Sequence, residues 1–378
     1  MTLKASIVLT TIFDPVVLEE YYKNFKDNDH LEEVQVYLIP DLRTPSEAFK
    51  RCENLSKKGL KITCPTIQEQ EVFLAKIGLP SIFIPYNSDN RRNIGYLMAF
   101  SDGSDFIISI DDDNYPRHDE DFFAQHSVVC NNKIEASIVN TDTNWFNICS
   151  MLELDRLGTT YPRGFPYFAR HKVSNETFHT AEVNIHMNAG LWLIDPDVDG
   201  ISWLVAPAHT ISFKGKSLVL GNKAWSPINT QNTSMRRDVI PSYYFVRMNY
   251  PLAGIPIDRY GDIFSGYFSQ ACVRHVNGSI RVGTPLTDHK RNSHNYMKDA
   301  ANEWACIMVL EDILSWLPEA KLSGTSYIEA YESLSYLLED AVESFKGQIW
   351  TDATRGYFHQ MAYYIRRWIK TCKGIEGF

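Results

Sequence analysis

Apolar and polar positions in the first third of the chain alternate between two rhythms. SIVLTTI (6–12), VQVYLIPD (34–41), SIFIPYN (81–87) and FIISI (106–110) are short, nearly continuous apolar runs and read as strands. Between them, PVVLEEYYKNFKD, TPSEAFKRCENLSKKG and NRRNIGYLMAFSDG carry apolar residues at helical spacing. The second of these opens on a Ser/Thr-type cap and closes on Gly. Strands that are apolar throughout must be covered on both faces. The repetition therefore predicts an α/β fold with a mostly parallel sheet.

Beyond residue 117 the pattern loosens. GLWLID (190–195) and YYFVRM (243–248) read as strands and RYGDIFSGYFSQACVRHV (259–276) as a buried helix. From Tyr296 the rhythm is helical to the end, with breakers at Pro318, Gly324 and Gly347 marking off three helices. The stripe Trp304, Ile307, Met308, Leu310, Ile313, Leu314 is expected to face the core. Two parts follow: residues 1–295 as a catalytic domain and 296–378 as a helical region.

With 378 residues, 44% hydrophobic and 22% charged, the chain can bury a substantial core. A formal charge of −9 and only short basic clusters exclude a nucleic-acid-binding face. Seven scattered cysteines without a C-x-x-C pair exclude a zinc ribbon and disfavour a disulfide scaffold. The opening MTLKASIVLTTIFDP is too short for a membrane span and lacks a cleavage site, so it reads as a first strand. A cytoplasmic location is expected. The basic, aromatic YYIRRWIKTCK (363–373) leaves peripheral membrane contact open beside a solvated helix face, and self-association is open too.

The chemistry begins where FIISI runs into Asp111, Asp112 and Asp113. In an open parallel sheet, ligands bind beyond the carboxyl ends of the strands. Three adjacent carboxylates there repel one another unless a cation joins them. Hard oxygen donors point to Mg2+ or Mn2+ shared with a substrate diphosphate. Extended backbone would send Asp111 and Asp113 to one side and Asp112 to the other. The same stretch, D-D-D-N-Y-P, is also a good turn.

An acidic D-x-D after a strand resembles the signature of GT-A-fold glycosyltransferases. In order, IDDDN, YPRGFPYFAR (161–170), AGLWLIDPDVD (189–199), DRYGDIFSGYF (258–268) and GTPLTDHKRNSHN (283–295) are similar to motifs of the reversibly glycosylated polypeptides. These are the plant UDP-arabinopyranose mutase family. The similarity is placed over roughly residues 6–295, with the helical tail outside it. It implies a metal-dependent glycosyltransferase of GT-A fold using a nucleoside-diphosphate sugar, a UDP-sugar, and a glycan or small-molecule acceptor. A mutase that glycosylates itself on arginine, and a non-catalytic partner that only binds the nucleotide sugar, are the alternatives.

Residue by residue, the resemblance implies catalytic roles for Arg163 and Arg170, although two arginines can equally bridge loop carboxylates. Asp262 is placed as the base for an acceptor hydroxyl, or else a helix cap. Asp111, Asp113 and His289 are expected to hold the metal. Thr10, Thr11, Asp41, Arg43, Arg92, Gly95, Asp111, Asp112 and Lys290 are expected around the nucleotide. Trp192 either stacks on the donor sugar or is core. Asn114 stands where the family has Cys, and Gly261 where it has Asp. A nucleotidyltransferase would carry a Gly-rich, basic loop after the first strand, and TTIFDPVVLEEYY has none.

Overall fold

The computed structural model describes residues 3–252 and 254–376. The outer limits of the expected division, at Met1 and Phe378, lie outside the described residues.

Strand β1 (Ala5–Thr11) is buried along almost its whole length. It pairs in parallel with β2 (Val34–Pro40) on one side and with β4 (Phe106–Ile110) on the other. A short strand β3 (Lys61–Thr63) adds to β2. Helices α1 (Val17–Asp27), α2 (Ser46–Lys57), α3 (Ile67–Lys76) and α4 (Arg92–Ser101) link these strands. The order β3-β2-β1-β4 continues through Asn232–Arg236, antiparallel to β4, then Ile185–Ile194 and Ser279–His289. The expected α/β class with a helical C-terminal region is what the chain forms.

Two expected strands are absent. SIFIPYN makes a 3-10 turn at Ser81–Phe83, because Pro80 and Pro85 remove ladder donors. The sheet position falls instead to polar β3, short enough for an edge. YYFVRM is buried but unpaired in any ladder. Its backbone is satisfied by side chains: Asn93 accepts from the Phe245 N–H (2.9 Å), Asn90 and Asn93 donate to its carbonyl (2.6 and 2.8 Å), and Ser265 takes the Val246 N–H (3.0 Å).

The three C-terminal helices, Tyr296–Trp316, Tyr327–Ser344 and Asp352–Glu376, share one apolar core with the sheet. Trp368 donates to the Ile240 carbonyl (3.2 Å), and Tyr357 to that of Arg247 (2.9 Å). Ile365, Trp368, Ile369 and Cys372 are buried there, so the apolar face of 363–373 is not available to a membrane. Among the described residues no helix is long and apolar enough to cross one. Of the expected stripe, Ile307, Leu310, Ile313 and Leu314 are core, but Trp304 is 46% exposed, because in that turn Glu303, Ala305 and Cys306 take the buried side.

Candidate active site

The chain leaves β1 toward β2 on one side and returns as β4 on the other. Neighbouring loops at the carboxyl ends of β1 and β4 therefore diverge and open a crevice. The cleft found there has about 310 Å³ and is lined by Thr10, Thr11, Asp41, Ser88, Arg91 and Asp111–Asp113, among others. The register that sets Val8 opposite Ser109 carries on to bring Thr11 beside Asp112, and their side chains hydrogen-bond. Thr44 donates to the Thr11 carbonyl, and Asp41 accepts from the N–H groups of Leu42 (2.7 Å) and Ser88 (3.0 Å).

The three aspartates do not alternate as in a strand. β4 ends at Ile110, and a turn closed by the Asn114 N–H on the Asp111 carbonyl (3.3 Å) fans them apart. Asp111 is ion-paired with Arg92. Asp112 faces Thr11. Asp113 faces His289, whose Nε2 is 3.4 Å from its carboxylate. Among the described residues no three acidic, His or Cys groups converge on one point. The expected trio Asp111, Asp113 and His289 is therefore a pair, with Asp111 drawn off by Arg92.

The pair is assembled by the sheet. Ser279–His289 runs antiparallel to Asn114–Pro116, with His289 opposite Asn114. His289 Nδ1 bonds to the Asp195 carbonyl (2.6 Å), which leaves Nε2 toward Asp113. Asn114 donates to Asp113 (3.0 Å) and accepts from Thr287 (3.1 Å). Burial works to raise the Asp113 carboxyl, yet His289 beside it brings it below its usual value. Burial likewise works to lower His289, and Asp113 carries it above the ordinary imidazole range. Burial pushes Asp112 up to about 6 and also raises Asp111, against the pull of Arg92. A small divalent cation with donors about 2.1 Å away holds two neighbouring ligands about 3 Å apart. The Asp113–His289 spacing and donor types fit such an ion, with its remaining positions left to water and phosphate.

Arg92 also lines the cleft, and the remaining expected residues lie outside it. The Arg92 guanidinium is buried and donates to Ser109 (2.8 Å) and to the Ile110 carbonyl (2.7 Å) as well as to Asp111, so it braces the turn from beneath. Gly95 does not meet the cleft. A Cβ there would stand 2.5 Å from Val8 Cγ1 and 3.1 Å from Ile39, so it lets α4 lie against the sheet. Arg43 is exposed beyond β2. Lys290 lies over the Tyr115 ring (4.4 Å) in an adjoining groove with Glu20, Arg117 and Asp288. Trp192 is core: it is 2% exposed, and the space beside it is about 10 Å³, too small for a sugar.

Arg163 and Asp262 meet, but neither lines the cleft. Arg163 is buried between two carboxylates, donating Nε to Asp197 (3.0 Å) and Nη2 to Asp262 (2.7 Å). Its Nη1 reaches the Arg259 carbonyl and Asp262. Gly164, at φ +84°, turns the chain beside Ile263, where a Cβ would come within 2.4 Å. Asp262 caps no helix; its carboxylate is engaged by Arg163 at the start of Gly261–His275. Arg170 is paired with fully buried Asp199 (2.6 Å) and lies 3.8 Å over the Tyr167 ring. Arg163 thus bridges two carboxylates, whereas Arg170 pairs with one.

Asn87, Ser88 and Asp89 in the cleft wall have no sequence signal, because Asn87 closes a run that spells a strand and the turn after it carries no motif. It also left Asp197 and Asp199 without a role, although the D-P-D-V-D spelling was a readable acidic signal.

Comparison with known proteins gives the family. The chain is 24% identical over 298 residues to UDP-arabinopyranose mutase 2 of Arabidopsis thaliana, covering 78% of this chain and 74% of that protein. It is 26% identical over 265 residues to the probable UDP-arabinopyranose mutase 1 of Pisum sativum, covering 68% and 66%. Among solved structures, glucosyl-3-phosphoglycerate synthase of Mycobacterium tuberculosis, in complex with Mg2+ and UDP, superposes with a TM-score of 0.41 at 11% identity over 85% of this chain and 82% of that one. A mannosyltransferase of Pyrobaculum calidifontis with GDP-Man and Mn2+ gives 0.39 at 10% identity, over 100% and 75%. The reversibly glycosylated polypeptide family matches residues 36–376. That span runs through the C-terminal helices, which corrects the expectation that the likeness stops near 295. The chain belongs to the family of reversibly glycosylated polypeptides.

Proposed function

We propose that this protein is a divalent-metal-dependent enzyme that takes a UDP-sugar into the β1/β4 crevice and transfers its glycosyl group to an acceptor. The observation that carries this reading is the Asp113–His289 pair, a carboxylate and an imidazole 3.4 Å apart, presented at the switch point of an α/β sheet. Mn2+ or Mg2+ would be held by Asp113 and His289, with Asp111 available only on leaving Arg92. Such an ion, when bound, stabilises negative charge on a departing diphosphate.

The chain's own groups do the rest. The Asn114 amide fixes the Asp113 carboxylate. The Asp195 carbonyl fixes the imidazole tautomer. Thr10, Thr11, Asp41 and Ser88 offer hydroxyl, carboxylate and backbone partners for a base and ribose, with Arg43 at the rim. Asp262 accepts a proton from an acceptor hydroxyl only if Arg163 releases one of its oxygens. All seven cysteines are free thiols, which fits a reducing, cytoplasmic setting.

A second reading keeps the crevice and returns the sugar to its own nucleotide in another ring form. The mutase names of the relatives favour it. Self-glycosylation on Arg163 would require that guanidinium to leave both Asp197 and Asp262.

The test is a panel of UDP-, GDP- and TDP-sugars with and without Mn2+, read by NMR and intact mass. Glycosylated acceptor with free UDP supports transfer. A ring-isomerised UDP-sugar supports the mutase. Binding without turnover makes the protein a non-catalytic partner. Failure to bind any nucleotide sugar removes the proposal.

A further inference from the structure

Transfer of a glycosyl group to a hydroxyl releases a proton, and the group that takes it must stand free in the crevice. Most acids there are already engaged. Of those lining the cleft, Asp41 accepts from the N–H groups of Leu42 and Ser88, Asp111 is held by Arg92, Asp112 by Thr11 and Asp113 by His289. Asp262, the base expected from the motif resemblance, is held by Arg163 and does not line the cleft.

Asp89 differs. It lines the same cleft, is exposed there, and makes no ion pair among the described residues. Its polar contacts come from its own turn: the Ser88 hydroxyl at 3.4 Å and the Asn90 N–H, which Ser88 Oγ shares (3.2 Å). The mount is firm. The next three residues, Asn90, Arg91 and Arg92, are 0%, 2% and 4% exposed, and Asn90 is tied to the Phe245 carbonyl (2.6 Å). With those side chains turned inward, the turn that opens α4 presents Asp89 outward.

An acid in the first turn of a helix is an ordinary partner of the helix dipole. The surroundings of Asp89 do more than that. Asp258 and Asp262, around the start of Gly261–His275, act on it from across the crevice floor, and Arg92 acts on it from its own helix. Asp89 in turn bears on Tyr357 of the last helix. Protein closing around it, then the Asp262 and Asp258 charges, push its carboxyl up to about 6 against the pull of Arg92. A carboxyl in that range gives and takes a proton readily near neutral pH.

We infer that Asp89 is the proton acceptor of the transfer. As the acceptor's hydroxyl oxygen bonds to the anomeric carbon, the bond from that carbon to the diphosphate oxygen breaks, its electron pair leaves on UDP, and the hydroxyl proton passes to the Asp89 carboxylate. This rests on the proposed function. Asp89→Asn and Asp89→Glu are compared with wild-type protein in two ways. UDP is titrated calorimetrically in Mn2+, and turnover is followed from pH 5 to 8 as UDP released from UDP-sugars with water, glycerol or glucose as the acceptor. The wild-type kcat should rise with pH through about 6 and then level off. The Asn variant should bind UDP within about 3-fold of wild type, lose at least ~100-fold in kcat and lose that rising limb, and Glu should recover part of both. An Asn variant with kcat within about 3-fold of wild type, or with the limb unchanged, overturns the inference. So does one that weakens UDP binding by more than ~10-fold, since Asp89 would then hold the nucleotide. Wild-type protein that binds UDP but releases none from any UDP-sugar overturns it as well. Wild-type protein that binds no UDP under any condition overturns the nucleotide-sugar reading, and this inference with it.

Discussion

Replacing Arg163 by Met isolates a buried arginine shared by two carboxylates. The guanidinium is buried between Asp197 and Asp262, with side-chain exposures of 9%, 5% and 10% for Arg163, Asp197 and Asp262. Removing it leaves two carboxylates in a poorly solvated interior, a loss of about 3–5 kcal/mol for a buried pair broken on one side. Unfolding entropy near 2.1 cal/mol/K per residue gives about 0.8 kcal/mol/K for this chain, so the melting temperature should fall by about 4–6 °C. Arg163→Met/Asp262→Asn, which neutralises one of the stranded charges, should recover at least about 1 kcal/mol over the single variant. The pH dependence sharpens the test. Burial works to raise Asp197, but Arg163 holds it below its usual value. A carboxylate with a lowered folded pKa contributes stability that is complete above its unfolded value, near 3.9, and is lost as the pH falls through the folded value. Wild-type protein should therefore lose stability on that acid limb, and Arg163→Met should lose less, because the Asp197 contribution is gone while that of Asp113 remains. Differential scanning calorimetry between pH 3 and 7 measures both. A single variant within about 1 kcal/mol of wild type, or an acid limb unchanged by it, would refute the reasoning.

Asn114→Ala should weaken Mn2+ affinity about 10- to 100-fold, measured by electron paramagnetic resonance titration, because the Asp113 carboxylate loses the amide that orients it. Asp112 has a folded pKa pushed up to about 6 by burial, so its ionisation destabilises the fold as pH rises from about 4 to 6. Asp112→Asn should raise the melting temperature at pH 7, by about 1–2 kcal/mol equivalent after solvent screening, and leave it unchanged at pH 3. Gly95→Ala should cost about 1–3 kcal/mol in urea unfolding, since the added methyl meets Val8 at 2.5 Å and Ile39 at 3.1 Å and must push α4 from the sheet.

The parts of the fold legible in sequence are those where one local pattern decides the outcome. β1, β2 and β4 are buried along their length, and such strands spell themselves as apolar runs. β3 was hidden because an edge strand of three residues, Lys61–Thr63, has no hydrophobic signature. YYFVRM misled because a buried aromatic run looks like a strand whether its backbone pairs with a ladder or with Asn90, Asn93 and Ser265. At the site, the Asp111–Asp113 turn and its crevice followed from strand order, and His289 came through motif resemblance. The directions of the three aspartates did not follow, since the turn begins one residue after Ile110 and breaks the strand's alternation. Nor did the partners of Arg163 and Arg170: the D-P-D-V-D run is adjacent to them only in three dimensions.

The crevice draws its two walls from separate stretches of chain. One wall, the one proposed to hold the nucleotide, comes from the first 113 residues, through Thr10, Asp41, Ser88 and the acidic turn. His289, which faces Asp113, comes from the remainder, at the end of a strand in the far half of the sheet. On the proposed reaction, drift in the later stretch can change one partner of the transfer while the earlier stretch keeps its hold on the other, so descendants of one ancestral framework are free to diversify in product without relearning how to hold their fuel.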